Sequence, residues 1–397
     1  MTSPDSTATA TPGGPIDAAT SGALGRLGIA APVESQVAAM VAALIGPVEV
    51  DVLTARVEVH PYPFPALTTR DRFVVSGTAR GRNGDENPYA FFVKVVQSWA
   101  CSPLSLHVPE PLRAAVARLL PWRTEPDLYR SDLRDRLPAG LTVPRAFGVH
   151  DLDDGSTAIW LELIPGHPVS WDLDRHRRAA YLLGRLAASP SVAPLATRVP
   201  QGRTARRYVD VWLAHNVLPD LHDADFWRRP LVADAFDAEL RARMLATADA
   251  LPRLLDELDS FPIATAHGDA CTRNLLGTEG DGFVMIDFGF WGTAPVGFDL
   301  GQLLLAEVHT GERSAGALPD LETACTSAYV DGLRDEGSTV TCEQVHRCTA
   351  LLQTIYYAIP AIPFEHRNAS PTPSLHRLHA ERASATRFIL DRLDSTS

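Results

Sequence analysis

Runs of alternating, β-branched and aromatic residues predict strands over Val48–His60, Arg72–Arg80, Tyr89–Val96, Ala146–His150 and Thr157–Leu163. Turn chemistry joins them: Gly81-Arg82-Asn83-Gly84-Asp85-Glu86-Asn87 closes one hairpin and Asp151-Leu152-Asp153-Asp154-Gly155 another. A three-to-four-residue apolar period predicts a helix over Ala18–Ile45, stopped by Gly46-Pro47, and helical segments Pro109–Leu120 and Thr124–Leu137, interrupted at Pro121. Beyond Trp171 the same period dominates, over Arg175–Ala188, Arg206–Leu218, Leu240–Leu258, Asp299–Glu307, Leu318–Leu333, Cys342–Ala358 and Ser374–Leu393. The pattern divides the chain into a flexible tail (1–16), a strand-rich N-lobe with some helices (17–163) and a helical C-lobe (164–397), an α+β organisation. Ile164-Pro165-Gly166 reads as the hinge.

Bulk properties narrow the class. The 397 residues suffice for two lobes with a large core, and the 45% hydrophobic content is that of a soluble globular enzyme. No apolar stretch approaches the roughly 20 residues a bilayer span needs, and Met1-Thr2-Ser3-Pro4-Asp5 lacks the start of a secretory signal, so no membrane role is expected. Cys101, Cys271, Cys325, Cys342 and Cys348 are scattered and odd in number, which reads as reduced thiols in a cytoplasm. The formal charge of −12 argues against nucleic-acid binding. It would attract a cationic substrate, and it also simply favours solubility.

Among 36 cationic side chains a single one is lysine, Lys94, inside the apolar run Tyr89–Val96. An ammonium is a compact point charge where guanidinium is a planar fork, and its burial costs several kcal/mol, on the order of 2–5, unless an anion answers it. Downstream stands His267-Gly268-Asp269-Ala270-Cys271-Thr272-Arg273-Asn274 within 265–276, then the apolar Phe283–Ile286, then Asp287-Phe288-Gly289. This is the layout of a kinase catalytic loop followed by a metal-binding aspartate. Asp269 and Asn274 share one loop, so a carboxylate can meet an acceptor hydroxyl while an amide oxygen reaches a metal. Asp287 returns on the neighbouring strand to hold Mg²⁺ against phosphates.

On these motifs the chain resembles the aminoglycoside phosphotransferase and choline kinase family, from about Val48 to about Arg382. The resemblance implies a two-lobed protein-kinase-like fold with a small antiparallel-sheet N-lobe and a larger, mostly helical C-lobe. It implies Asp269 as catalytic aspartate, Asn274 and Asp287 as Mg²⁺ ligands, and Lys94 as the holder of the α- and β-phosphates of ATP or GTP. His267 is then structural, and Asp299, in Gly297-Phe298-Asp299-Leu300, braces the loop. A glutamate near the second helical segment should pair with Lys94: Glu125, with Glu110 as its rival. Backbone groups of Glu162, Leu163 and Ile164 would meet the purine edge.

The first hairpin connection, Pro61 to Asp71, departs from this pattern because it has no glycine. Fewer backbone N–H groups can then approach phosphate, and Thr68, Thr69 or Arg70 would have to substitute. A proline-stiffened surface loop is the other reading. Trp291, Glu307, Tyr356, Tyr357 and Glu365 are candidate linings for a small hydroxylated acceptor. The expected activity is transfer of a nucleotide γ-phosphate to a substrate hydroxyl. The alternative is a silent, nucleotide-binding relative. Gly268 in place of arginine and the eleven-residue Asp287–Asp299 interval argue against a protein kinase.

Overall fold

The computed structural model describes residues 22–30, 32–46, 49–62, 66–165, 169–199, 204–363, 366 and 369–396. The tail expected over 1–16, Gly166 of the expected hinge and Glu365 lie outside the described residues. The chain forms two units, residues 1–102 with 144–165 and residues 103–143 with 166–397. The fold is α+β, one unit built on an antiparallel sheet and the other mostly helical.

In the first unit, β1 (Val50–Val59), β2 (Thr69–Gly81), β3 (Glu86–Gln97), β4 (Ala146–Asp153) and β5 (Ser156–Glu162) form one sheet. Their spatial order is β1-β2-β3-β5-β4, and every neighbouring pair is antiparallel. The period of two sends Phe91, Val93 and Val95 to one face, where the helix Glu34–Ile45 covers them with Val37, Met40 and Val41. Each such side chain contributes about 1.5–3 kcal/mol by leaving water. Phe92, Lys94 and Val96 point to the other face. Lys94 sits opposite Arg72 of β2 and Ile159 of β5, and it is buried. The helix expected from Ala18 is shorter. An α-helical turn at 22–24 runs into a 3₁₀ turn (Gly25–Ala30) in which Gly28 takes φ 59, and the main α-helix is Glu34–Ile45.

In the second unit, the helix Leu173–Ala188 is started by Asp172, whose carboxylate accepts the Arg175 N–H at 2.9 Å. Its apolar stripe packs along the helix Leu318–Asp335. The two approach backbone to backbone: a Cβ on Gly184 would stand 2.1 Å from the Tyr329 carbonyl oxygen, and one on Gly332 2.0 Å from that of Tyr181. Proline breaks one element expected to be continuous. Leu240–Leu258 is two helices, Ala238–Asp249 and Leu251–Leu258, because Pro252 lacks the N–H a continuing helix requires. Thr124–Leu137 also divides, into Thr124–Tyr129 and Leu133–Arg136, with no proline at the break between them.

A buried ion pair ties the C-terminal helix Pro373–Ser395 to the rest. Arg392 meets Glu322 at 2.6 Å and donates to Gln353 at 2.7 Å, while His346 lies 3.1 Å from the same carboxylate. Burial works to raise the Glu322 carboxyl, and His346, Arg392 and Thr326 outweigh it and hold it below the usual range. A depressed carboxylate stabilises the fold above its unfolded pKa, and that contribution is lost as pH falls through its folded pKa. Arg392→Leu should therefore cost about 3–5 kcal/mol at pH 7, because a buried carboxylate loses its partner. The penalty should shrink as acid protonates Glu322. Urea melts at several pH values measure both.

Candidate active site

Two strand pairs in the second unit hold the motif loop at both ends. Ile263–Ala266 pairs antiparallel with Gly292–Pro295, bringing Ala266 opposite Gly292. Leu275–Gly277 pairs with Phe283–Met285, bringing Leu275 opposite Met285. Residues 267–274 and 286–291 therefore face each other, and two hydrogen bonds stitch them. The Ile286 N–H donates to the Asn274 carbonyl at 3.0 Å, and His267 Nε2 meets the Ile286 carbonyl at 3.1 Å.

His267 is fully buried. Its Nδ1 accepts the Asp269 N–H at 3.3 Å, so the proton sits on Nε2 and the ring is a neutral bridge between the two segments. Asp299, in the first turn of the helix Phe298–His309, accepts the His267 N–H at 2.8 Å and the Gly268 N–H at 2.9 Å, one on each carboxylate oxygen. Burial and the charge of Asp269 raise the Asp299 carboxyl to about 6, against the opposing pull of those two N–H groups. Gly268 has φ 84, and a Cβ there would stand 2.0 Å from the Phe290 carbonyl oxygen. No larger residue fits while the loop stays against the 286–291 segment.

Asp269 and Asp287 are half-buried and keep access to solvent. The Asn274 amide nitrogen donates to the Asp269 carbonyl at 2.9 Å and to its carboxylate at 3.0 Å. Its Oδ1 is thereby turned away from Asp269. Asp287 has φ 65, the one positive value at a non-glycine among the described residues. An aspartate held there is strained by on the order of 1–3 kcal/mol, and such strain collects at functional positions. Next to it, Phe288 is buried and packs against His267 (centroids 4.9 Å), Tyr129 (5.9 Å) and Trp291 (5.8 Å).

No three His, Cys, Asp or Glu side chains converge as a metal cage among the described residues. Mg²⁺ does not need one, since it is held by one or two carboxylates with phosphate and water. An amide oxygen and a carboxylate on facing segments, Asn274 and Asp287, have the hard-oxygen chemistry that ion takes.

The remaining candidates separate. Glu125 is buried in the helix Thr124–Tyr129. Glu307 accepts the Thr272 hydroxyl at 2.6 Å and Arg313 Nε at 2.7 Å, anchoring the end of the loop. Burial pushes its carboxyl up, and Thr272 and Arg313 bring it below the usual range. Trp291 is 2% exposed and belongs to the core instead of a ligand surface. Tyr356 stacks on Tyr208 at 4.5 Å, and with Tyr357 and Phe298 it lines a cavity of about 100 Å³. Arg273 pairs with Glu312 at 2.6 Å. Cys271 is buried, and that pushes its thiol up to about 12, so it is an inert filler.

In the first unit, Thr69 opens β2 opposite Val96, and the Thr68 carbonyl accepts the Gln97 N–H at 2.7 Å. Arg70 is paired with Asp71 at 2.8 Å. Glu162 makes the last registered pair of β5, with Phe91, and Leu163 and Ile164 follow it. Sequence reasoning missed Tyr129, Thr272 and Arg313. The four-residue step from Glu125 to Tyr129 was the one signal available for any of them.

The family model for the phosphotransferase enzyme family matches residues 129–334. No curated protein matches the chain. Among solved structures, an aminoglycoside phosphotransferase from Alicyclobacillus acidocaldarius is 15% identical, covering 85% of this chain and 97% of its own, at a TM-score of 0.47. A choline/ethanolamine kinase family protein from Mesorhizobium loti is also 15% identical, covering 85% and 92%, at a TM-score of 0.42. Spectinomycin phosphotransferase in complex with ADP and spectinomycin is 12% identical, covering 87% and 94%, at a TM-score of 0.41.

Replacing Asp299 with asparagine leaves one buried backbone N–H facing an amide NH₂. The variant should lose about 1–3 kcal/mol of stability. Hydrogen exchange should report faster opening at His267 and Gly268 than at the helix Leu173–Ala188.

Proposed function

Because the chain belongs to the phosphotransferase enzyme family, we propose that it moves the γ-phosphate of ATP or GTP onto a hydroxyl of a small molecule. The observation that carries this reading is the Asn274 amide. It is hydrogen-bonded to Asp269 through nitrogen, which leaves its oxygen for a cation on the same loop as the carboxylate that would meet the acceptor. Asp287, held at positive φ on the facing segment, supplies the second oxygen.

Asp269 orients the acceptor hydroxyl and takes its proton as the oxygen attacks the γ-phosphorus in line. The bond to the β–γ bridging oxygen breaks, and the nucleoside diphosphate leaves. Asn274 restrains the Asp269 carboxylate so that attack starts from a fixed geometry. Lys94, buried in β3, is the ammonium assigned to the α- and β-phosphates, with Glu125 as the carboxylate assigned to answer it. Thr68 and Thr69 at the start of β2 are the hydroxyls assigned to the phosphates, and the backbone of Glu162 to Ile164 is assigned to the base. Asn274 and Asp287 would hold Mg²⁺, which would supply positive charge against the phosphates. The acceptor is a small hydroxylated compound. The charge of −12 favours cationic members of that class through steering.

Asp269→Asn should lower kcat by roughly 10²–10⁴, as for other general acid–base groups, while nucleotide affinity stays near that of the parent. A mass-spectrometric screen of aminoglycosides, amino alcohols, sugars and nucleosides with Mg-ATP and Mg-GTP reads out the product. A product that persists in the variant would remove Asp269 from the chemistry. Nucleotide binding with no product from any pool would favour a silent relative.

A further inference from the structure

Tyr129 closes the short helix Thr124–Tyr129, four residues after Glu125, so the two side chains leave the same helical face. Its ring stands edge-on to Phe288 at 5.9 Å and 82°. Phe288 is itself held between His267 and Trp291. Phe288 follows Asp287 directly, so the packing that fixes the ring also fixes the phenol relative to Asp287. The ring is half-buried, but its hydroxyl is enclosed and has no hydrogen-bond partner among the described residues. An enclosed O–H without an acceptor is unfavourable, and native structures rarely keep one without a reason.

Two carboxylates belong to the elements that hold this ring: Glu125, one turn back on the same helix, and Asp287, next in sequence to Phe288. Burial, then Glu125, then Asp287 push the phenol well above its usual pKa. At neutral pH it is therefore a donor. Of these two carboxylates, one is assigned above to Lys94 and the other to the cation. A hydrogen bond to the outer side of a ligating carboxylate fixes which oxygen faces the metal.

We propose that Tyr129 is a positioning residue for Asp287, its O–H donating to the Asp287 carboxylate when a divalent cation is bound and holding that carboxylate in its ligating orientation. The inference rests on the phosphotransfer reading of the same site and names a residue that the loop motifs do not contain. It also gives the buried hydroxyl an acceptor in the loaded protein.

Tyr129→Phe keeps the ring and its contact with Phe288 and removes one oxygen. Binding of Mn²⁺ to the full chain, with a non-hydrolysable ATP analogue present, can be followed by electron paramagnetic resonance. The variant should bind Mn²⁺ about 10- to 100-fold more weakly, the usual effect of losing a partner behind a metal ligand. Its analogue affinity at saturating metal and its melting temperature should match the parent. Unchanged Mn²⁺ affinity would overturn the proposal, whether or not the melting temperature falls. A loss confined to analogue affinity would overturn it too, and would assign the hydroxyl to Glu125. Asp287→Asn separates this failure from that of the broader reading. If the parent binds Mn²⁺ and Asp287→Asn does not, an unaffected Tyr129→Phe sinks this inference alone. A parent that binds neither ion nor analogue sinks both.

Discussion

The second unit's site depends on one buried carboxylate. Asp299 accepts two consecutive backbone N–H groups, those of His267 and Gly268, from the first turn of a helix whose Leu300, Leu303, Leu304, Leu305 and Val308 are core. That arrangement turns the loop so that Asp269 stays half-exposed while its neighbours on both sides are buried. It also carries a cost. Taking the carboxylate out of water and placing it near Asp269 raises it to about 6, so the charged form survives at neutral pH because two N–H groups face it. A hydroxyl or an amide at 299 could not accept both bonds with two equivalent anionic oxygens.

Once Asp299 fixes the loop, the geometry of the facing segment follows. Gly268 at φ 84 lets the loop lie against the Phe290 carbonyl, and any Cβ would break that contact. His267 then reaches the Ile286 carbonyl, and Ile286 returns a bond to Asn274. The chain must turn sharply between these bonds and the strand Gly292–Pro295, and it does so with Asp287 in the left-handed region. The strain at Asp287 is thus a consequence of how tightly the two segments are tied. Thr272, Glu307 and Arg313 fix the far end of the loop in the same way.

Much of this could be read from the sequence because it is local. The five sheet strands follow from alternation, and the loop with Asp269, Asn274 and Asp287 from spacing, while the parts of His267 and Asp299 came from the family resemblance. Helix breaks at Gly28 and Pro252 were underestimated, since a long apolar period outweighed a single interrupting residue. The acceptor linings were the least legible. Trp291 resembles a ligand platform in sequence, but its ring fills the space beside Phe288, which depends on distant elements. Glu307 carries no local mark of its bonds to Thr272 and Arg313. Tyr129 escaped for the same reason, because its importance comes from Phe288 and Asp287, more than 150 residues away.

Charge balance gives the last constraint. Glu125 and Asp287 both act on the Tyr129 phenol, and Asp269 acts on Asp299, so four carboxylates share one region of the second unit. The charge of Asp269 raises the Asp299 carboxyl in this way. Part of this is answered internally: by two backbone N–H groups at Asp299 and by the Asn274 amide at Asp269. A cation held by Asn274 and Asp287 would relieve part of that repulsion. On the proposed phosphotransfer reading, nucleotide and metal would therefore bind better together than either alone.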